Sequence, residues 1–254
     1  RYALKSNTSA NSNTAIGKDA LKSCIDGAAN TVVGIGAGLD LSDGNQNTLI
    51  GDSAGESITT SSNNTCIGTD AGANITTGSN NIMLGHDSGI SGSPGGNRTT
   101  HSNKIGLGDE NIDVFSCQVS LTVASDARDK TDFTDLDVGL DFVKQLKPYT
   151  YKWDKRSKYG DKHADDYDLN AQTPDGTHKE DWLDIGFKAQ DVEILEKAAG
   201  YDKDNNTNLT ISLSEDGKQY GMKYERFIPI LVKALQEADA KIEALTTRIE
   251  TLEG

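Results

Sequence analysis

A glycine following a branched apolar residue returns every 17 positions through the first part of this chain. The pairs are Ile16-Gly17, Val33-Gly34, Ile50-Gly51, Ile67-Gly68 and Leu84-Gly85, and after a slip the pair is read again at Ile105-Gly106. Other columns keep the same register: Asn13, Asn30, Asn47, Asn64 and Asn81 lie four places before the glycine, and Ala20, Ala37, Ala54, Ala71 and Ser88 three places after it. A fixed short period restricts the fold to a stack of like units. Seventeen residues are too few for a helical hairpin, and the Asn, Thr, Gly, Ser and Asp that fill each unit favour turns over helix interiors. The repeat therefore predicts short strands joined by turns. Each unit offers about one branched residue, one alanine and one further apolar residue such as Leu41, Ile58 or Ile75, a thin core against the entropy of ordering the unit. Identical chains winding round one axis would supply the missing burial, so a homotrimer is expected.

Composition changes near residue 124. Of the fifteen Phe, Tyr and Trp residues only Tyr2 and Phe115 precede it, which places an aromatic-rich core in the C-terminal half. Residues 1–124 carry six basic and eleven acidic side chains and the remainder nineteen and twenty-eight, so both halves are acidic. That balance argues against nucleic acid or an anionic membrane as partner, and the basic triplet Lys155, Arg156 and Lys158 reads as a solvated loop. No segment reaches the ~20 apolar residues needed to span a bilayer, so membrane insertion is not expected. Beginning at Arg1 without a methionine, the sequence reads as a piece of a longer chain, preceded by upstream fibre segments of the same protein.

Several apparent motifs carry little. Gly34, Gly36 and Gly38 lie inside the repeat and lack the full dinucleotide spacing, so no cofactor is expected. Asp202, Asp204, Asn206 and Asn208 alternate like a calcium loop, but Thr207 stands where that loop needs glycine and Leu213 where it needs glutamate. Cys24, Cys66 and Cys117 fit neither a disulfide framework nor a zinc site and read as small buried or interface residues. His86, His101, His163 and His178 show no ligand spacing; His163 beside Asp165 and Asp166 reads as a solvated loop, and no metal is expected.

The C-terminus has its own pattern. Ile228, Leu231, Leu235, Ala238, Ile242, Leu245, Ile249 and Leu252 alternate by three and four, a coiled-coil seam. Residues 226–254 should form one helix of about 40 Å. Ile and Leu alternating at the core positions slightly favour dimers in parallel coils, and Ala238 leaves a narrow layer adjustable either way. Helical spacing is also read over 136–146 and 189–199, short strands at 149–153 and 209–213, and a polar excursion at 154–181 that either grips the fibre or is a disordered insertion.

The pattern NTLIGDSAG, with NTAIGKDAL, NTVVGIGAG and NTCIGTDAG, resembles the head repeats of trimeric adhesins and the β-helical shafts of phage tail fibres. Ser125-Asp126-Ala127-Arg128-Asp129-Lys130, with the blocks LDFVKQLKPYTYKW at 140–153, IGFKAQDVEILE at 185–196 and the segment 220–252, resembles the peptidase S74 family. These are the self-cleaving intramolecular chaperone domains at the C-termini of phage tail spikes and fibres. The resemblance implies a trimeric β-helical fibre over residues 1–124, then an α+β chaperone domain over 125–254 ending in a coiled-coil helix. It implies that the domain trimerises, sets the fibre chains in register, and cuts the Ala124–Ser125 bond with Ser125 as nucleophile and Lys130 as base. Asp126 and Arg128 would support the site. A serine needs such a base, and a lysine serves only if its pKa falls from ~10.4 towards neutrality, for which Arg128 is the local cation. Positions five apart meet only through a turn or across subunits, since they diverge on a helix and on a strand. The trimer interface would include Ile228, Leu231, Leu235, Ile242, Leu245, Ile249 and Leu252. The resemblance further implies a virion location, a chaperone domain released in the host cytoplasm, and a host-surface receptor or glycan as partner. The alternative is a structural or receptor-binding tip that never cuts.

Overall fold

In a computed structural model describing residues 1–164 and 166–254, the repeat forms a parallel β-solenoid closed within a single chain. Its strands are β1 (Thr14–Ile16), β2 (Thr31–Val33), β3 (Thr48–Ile50), β4 (Thr65–Ile67), β5 (Ile82–Leu84) and β6 (Ile105–Leu107), stacked in chain order. The register is one full repeat, so Thr31 faces Thr48 and Val32 faces Leu49.

The core is not built from the branched residue before the glycine. In each strand the middle residue points inward, and Val32, Leu49, Cys66 and Met83 are fully buried. Ile16, Ile50 and Ile67 point out, because neighbouring strand residues face opposite sides. Two further inward columns complete the interior, Ala20, Ala37, Ala54 and Ala71, and Cys24, Leu41, Ile58 and Ile75. Each chain thus closes its own core.

A polar ladder fixes the stacking. Asn30, Asn47, Asn64 and Asn81 are buried, and each side-chain amide donates to the Oδ1 of the asparagine one repeat earlier at 3.0–3.2 Å. The same Oδ1 accepts the next asparagine's backbone N–H, as from Asn47 to Asn30 at 2.9 Å. The second amide hydrogen goes to a carbonyl, as from Asn64 to Gly78 at 3.0 Å. Every polar atom of these buried amides is therefore used. The repeating glycine has a backbone reason: Gly51 sits at φ +138°, and a Cβ there would lie 2.3 Å from the Gly68 carbonyl oxygen.

The last coil differs from the sequence reading. Ile82 pairs with Ile105 and Leu84 with Leu107, so Gly108, not Gly106, continues the glycine column. Gly106 occupies the inward position of Met83, and a Cβ there would meet the Met83 sulfur. The slip is an insertion in the turn before β6, and Lys104 replaces the asparagine, its N–H bonding Asn81 Oδ1 at 3.0 Å.

The chain divides into two compact units. The first is Arg1–Val114 with Trp153–Asp181 and Leu213–Gln219, so the polar excursion and a hairpin tip fold with the solenoid. A single cut at 124/125 thus does not describe the compact units. Within this unit Lys155 and Lys158 pair with Glu180, and Arg156 donates to Asn170 and the Lys218 carbonyl. The basic triplet is consumed internally.

The second unit, Phe115–Lys152 with Trp182–Ser212 and Tyr220–Gly254, is α+β. It holds α1 (Leu140–Val143), β7 (Tyr149–Tyr151), β8 (Asp184–Gly186), α2 (Ala189–Ala198), β9 (Ile211–Leu213, whose last residue falls in the first unit), β10 (Tyr220–Met222) and α3 (Phe227–Glu253). β7 and β8 pair antiparallel, as do the β9–β10 neighbours in a separate two-stranded sheet by hairpin connection. Its core gathers Val138, Phe142, Val192, Ile211, Phe227 and Ile230. α1 is shorter than its spacing predicts because Gly139 is non-helical, at φ −148° and ψ −127°, and Val138 enters the core from non-helical backbone, while Glu237 of α3 accepts the Leu140 N–H. The calcium-like stretch is an ordinary turn in which Asp202 accepts from Asp204 N–H.

Removing one rung of the ladder should be costly: Asn64→Ala takes the acceptor from the Asn81 backbone N–H and from one Asn81 amide hydrogen, and the amide donor from the Gly78 carbonyl, and is expected to cost roughly 2–4 kcal/mol in denaturant unfolding. Burial pushes the Cys66 thiol up to about 12 and raises that of Cys24, whereas Cys117 is exposed. A thiol reagent at pH 8 should therefore label one cysteine in the native chain and all three after unfolding.

Candidate functional site

Residues 111–135 are exposed throughout. Within them the SDARDK segment makes one 3₁₀ turn, Ala127–Asp129, because Asp126 caps it: its carboxylate accepts the Arg128 N–H at 2.9 Å. Lys130 closes the turn, its N–H reaching the Ala127 carbonyl. This turn resolves the spacing problem within one chain. Ser125 and Lys130, which would diverge on a helix or strand, come together with Lys130 Nζ 2.6 Å from Ser125 Oγ.

Arg128 stands against Asp126 in this turn. Its guanidinium lies on Asp126, Nε at 3.1 Å from both carboxylate oxygens and a terminal nitrogen at 2.6 Å. Hydrogen bonding from Arg128 holds the Asp126 carboxyl below the usual range and raises the guanidinium in turn. The Asp126–Arg128 pair thus spans the turn that ends at Lys130. Ala124 precedes the turn in exposed, irregular chain.

The seam of α3 is also placed. Phe227, Ile230 and Ala234 are buried, while Ile228, Leu231, Leu235, Ile242, Leu245, Ile249 and Leu252 are each at least half exposed. Ile228 and Leu231 lie on a different face from the residues that pack on the unit's own core.

A second set of polar residues escaped the sequence reading. In the solenoid unit, Lys162 Nζ stands 2.7 Å from Asp87 Oδ2 and 2.7 Å from Glu110 Oε1, with Asp109 at 3.9 Å. His86 lies 3.2 Å from both Asp87 and Asp109, and His163 is 3.5 Å from Asp87. Asp87 is completely buried. Burial opposes charge on Asp109 and Lys162, but hydrogen bonds from Asn111 and His86 bring Asp109 below its ordinary value, and Asp87 with Glu110 raises Lys162. Asp70, Asp87 and His163, or His86, Asp87 and Asp109, converge closely enough to ligate a metal, and the Lys162 ammonium stands against Asp87 and Asp109. Asp165, once considered beside His163, lies outside the described residues. A further cluster joins Glu215 to Arg98 at 2.8 Å, His101 at 2.9 Å and Lys104 at 3.4 Å. The partners come from distant segments, so no local spacing announces them; the lengthened last coil was the available signal.

A family model described as peptidase S74, chaperone of endosialidase, matches residues 125–201, and its match begins at Ser125. No curated protein and no solved structure matches the chain. The segment from Ser125 to Tyr201, which holds the Ser125–Lys130 pair and the α1, β7, β8 and α2 elements, thus belongs to the peptidase S74 family of chaperone domains.

Proposed function

We propose that the chain is the C-terminal part of a viral tail fibre or spike. Its domain from Ser125 onward brings three chains together, directs folding of the solenoid, and releases itself by cutting Ala124–Ser125. The observation that carries the cleavage step is the 2.6 Å separation of Lys130 Nζ and Ser125 Oγ at the first residue of the family match.

With the lysine uncharged, the Ser125 hydroxyl donates to Nζ, and its proton passes there as Oγ adds to the Ala124 carbonyl carbon. Collapse breaks the bond from that carbon to the Ser125 nitrogen, which takes the proton back from the lysine. The product is an ester between Ala124 and Ser125 Oγ; water hydrolyses it to the Ala124 carboxylate and restores the serine. Each chain turns over once.

In the single chain both side chains face water. Desolvation is what would favour the neutral base. Assembly offers it, because the chain leaves long apolar arrays uncovered: Val119, Leu121 and Val123 beside the site, the α3 seam, and the outward column Ile16, Ile50 and Ile67. Such arrays mark association surfaces, and identical solenoids share a ~4.8 Å rung spacing that lets their columns meet row by row. Cutting would then wait for assembly. The fibre would remain with the virion and meet a host-surface receptor or glycan, and the chaperone domain would stay in the host cytoplasm. Among the described residues no helix is long and apolar enough to cross a membrane, and the reading includes neither membrane insertion nor nucleic acid. The exposure of Ser125 and Lys130 is what favours the second reading, a permanent trimerisation cap that does not cut.

Denaturing gels separate the two. Wild-type protein folded freshly should give two bands, Ser125→Ala one band, and Lys130→Met a rate lower by roughly 10²–10⁴-fold; an uncut wild type would leave the permanent cap. For assembly, light scattering should report three chains for the wild type and fewer for Leu235→Asp with Leu245→Asp, whose charges would sit in the seam. An unchanged mass in that variant would remove α3 from the interface.

A further inference from the structure

The two ionic clusters of the solenoid unit lie across the proposed cleavage point in sequence. One side of each comes from residues before Ala124 and the other from residues after Ser125. In the first, the excursion supplies cations, Lys162 and His163, to the carboxylates of Asp87, Asp109 and Glu110. Lys155 of the same excursion donates to the Glu110 carbonyl at 3.0 Å. In the second the polarity is reversed: the hairpin tip supplies Glu215 to Arg98, His101 and Lys104. Beside it Asp216 accepts the Asn97 N–H at 3.0 Å, and Gly96 leaves room for that approach, since a Cβ there would stand 2.5 Å from the Asp216 carboxylate.

We infer that these two clusters form an interaction surface on which the fibre product keeps its own excised chaperone domain, held by charge pairs of opposite polarity. The inference rests on the proposed cut at Ala124–Ser125. Hydrolysis of one peptide bond touches none of these contacts. Their opposite signs also set orientation, because an excursion shifted onto the Arg98 cluster would bring Lys162 against cations, and the hairpin tip shifted onto Asp87 would bring Glu215 against anions. Several pairs are largely out of water, Arg98 and Glu215 at about a tenth exposed and Asp87 at none. Separating the products would leave Asp87 without its lysine, and a buried charge that loses its partner is strongly unfavourable. Cutting and release are therefore distinct steps, the second governed by ionic conditions.

The test is size-exclusion chromatography of the cleaved protein across a salt series. At ~0.05 M salt the products should co-elute, and at ~1 M, which screens the half-exposed His101, Lys104 and His163 more than the buried pairs, a larger fraction should elute apart. The double substitution Lys162→Met with Glu215→Gln, both within the chaperone domain and outside the solenoid strands, should shift separation to low salt. Wild-type products that part at ~0.05 M, or that stay together equally at both salts, would overturn the inference; so would a double variant that holds as tightly as wild type. The wild-type series needs no variant to fold. If denaturing gels show that the wild type is never cut, the cleavage reading fails by itself, and the surface is still tested by placing a specific protease site in the exposed segment 118–123 and cutting there.

Discussion

The buried asparagine ladder is the interaction on which the solenoid depends. Five amides in register, each bonded to a carbonyl and the last four also to the amide one repeat earlier, force consecutive coils to stack one above the other at a fixed 17-residue offset. A slip by one residue would leave several buried polar atoms unpaired and would turn the inward column outward. With register set by polar atoms, an interior of alanines and single larger side chains is sufficient to close each coil. The column left outside is then available to other chains.

The same offset explains why the last coil matters. Where the ladder ends at Lys104 the repeat lengthens, and the charged residues that follow no column appear: Arg98, His101, Asp109 and Glu110. There the excursion and the hairpin tip meet the solenoid. The solenoid is regular where its coils stack on one another and irregular where it receives segments from beyond Ser125. The Ser125–Lys130 turn, by contrast, is held by its own backbone bonds, its cap, the Asp126–Arg128 pair and the Lys130–Ser125 contact. On the proposed reading, a site so exposed is unshielded until chains assemble.

Much of this was legible in the sequence because period is a strong signal. The columns of Asn and Gly gave stacked coils, the three-four alternation gave α3, and the SDARDK segment gave the family to which residues 125–201 belong. What escaped follows from physical causes. In a two-residue apolar run such as Leu49-Ile50 either residue could be the inward one, so the branched column was placed inside when it faces out. Ile105-Gly106 imitates the repeat, and only strand pairing shows Gly108 in register. Arg128 near Lys130 in sequence suggested electrostatic help, but an acidic residue two places away captures it. The clusters around Asp87 and Glu215 join segments far apart in the chain, and tertiary charge pairing has no local pattern.

The central claim is that one chain carries both a fibre and a domain that assembles three copies and then cuts itself free at Ser125. Native mass spectrometry of freshly folded wild-type protein, sprayed from high salt exchanged into a volatile buffer, reads stoichiometry and covalent state together. The account expects a species of three polypeptides that each begin at Ser125, alongside solenoid chains ending at Ala124. A single-chain species with the Ala124–Ser125 bond intact under the same conditions would contradict it.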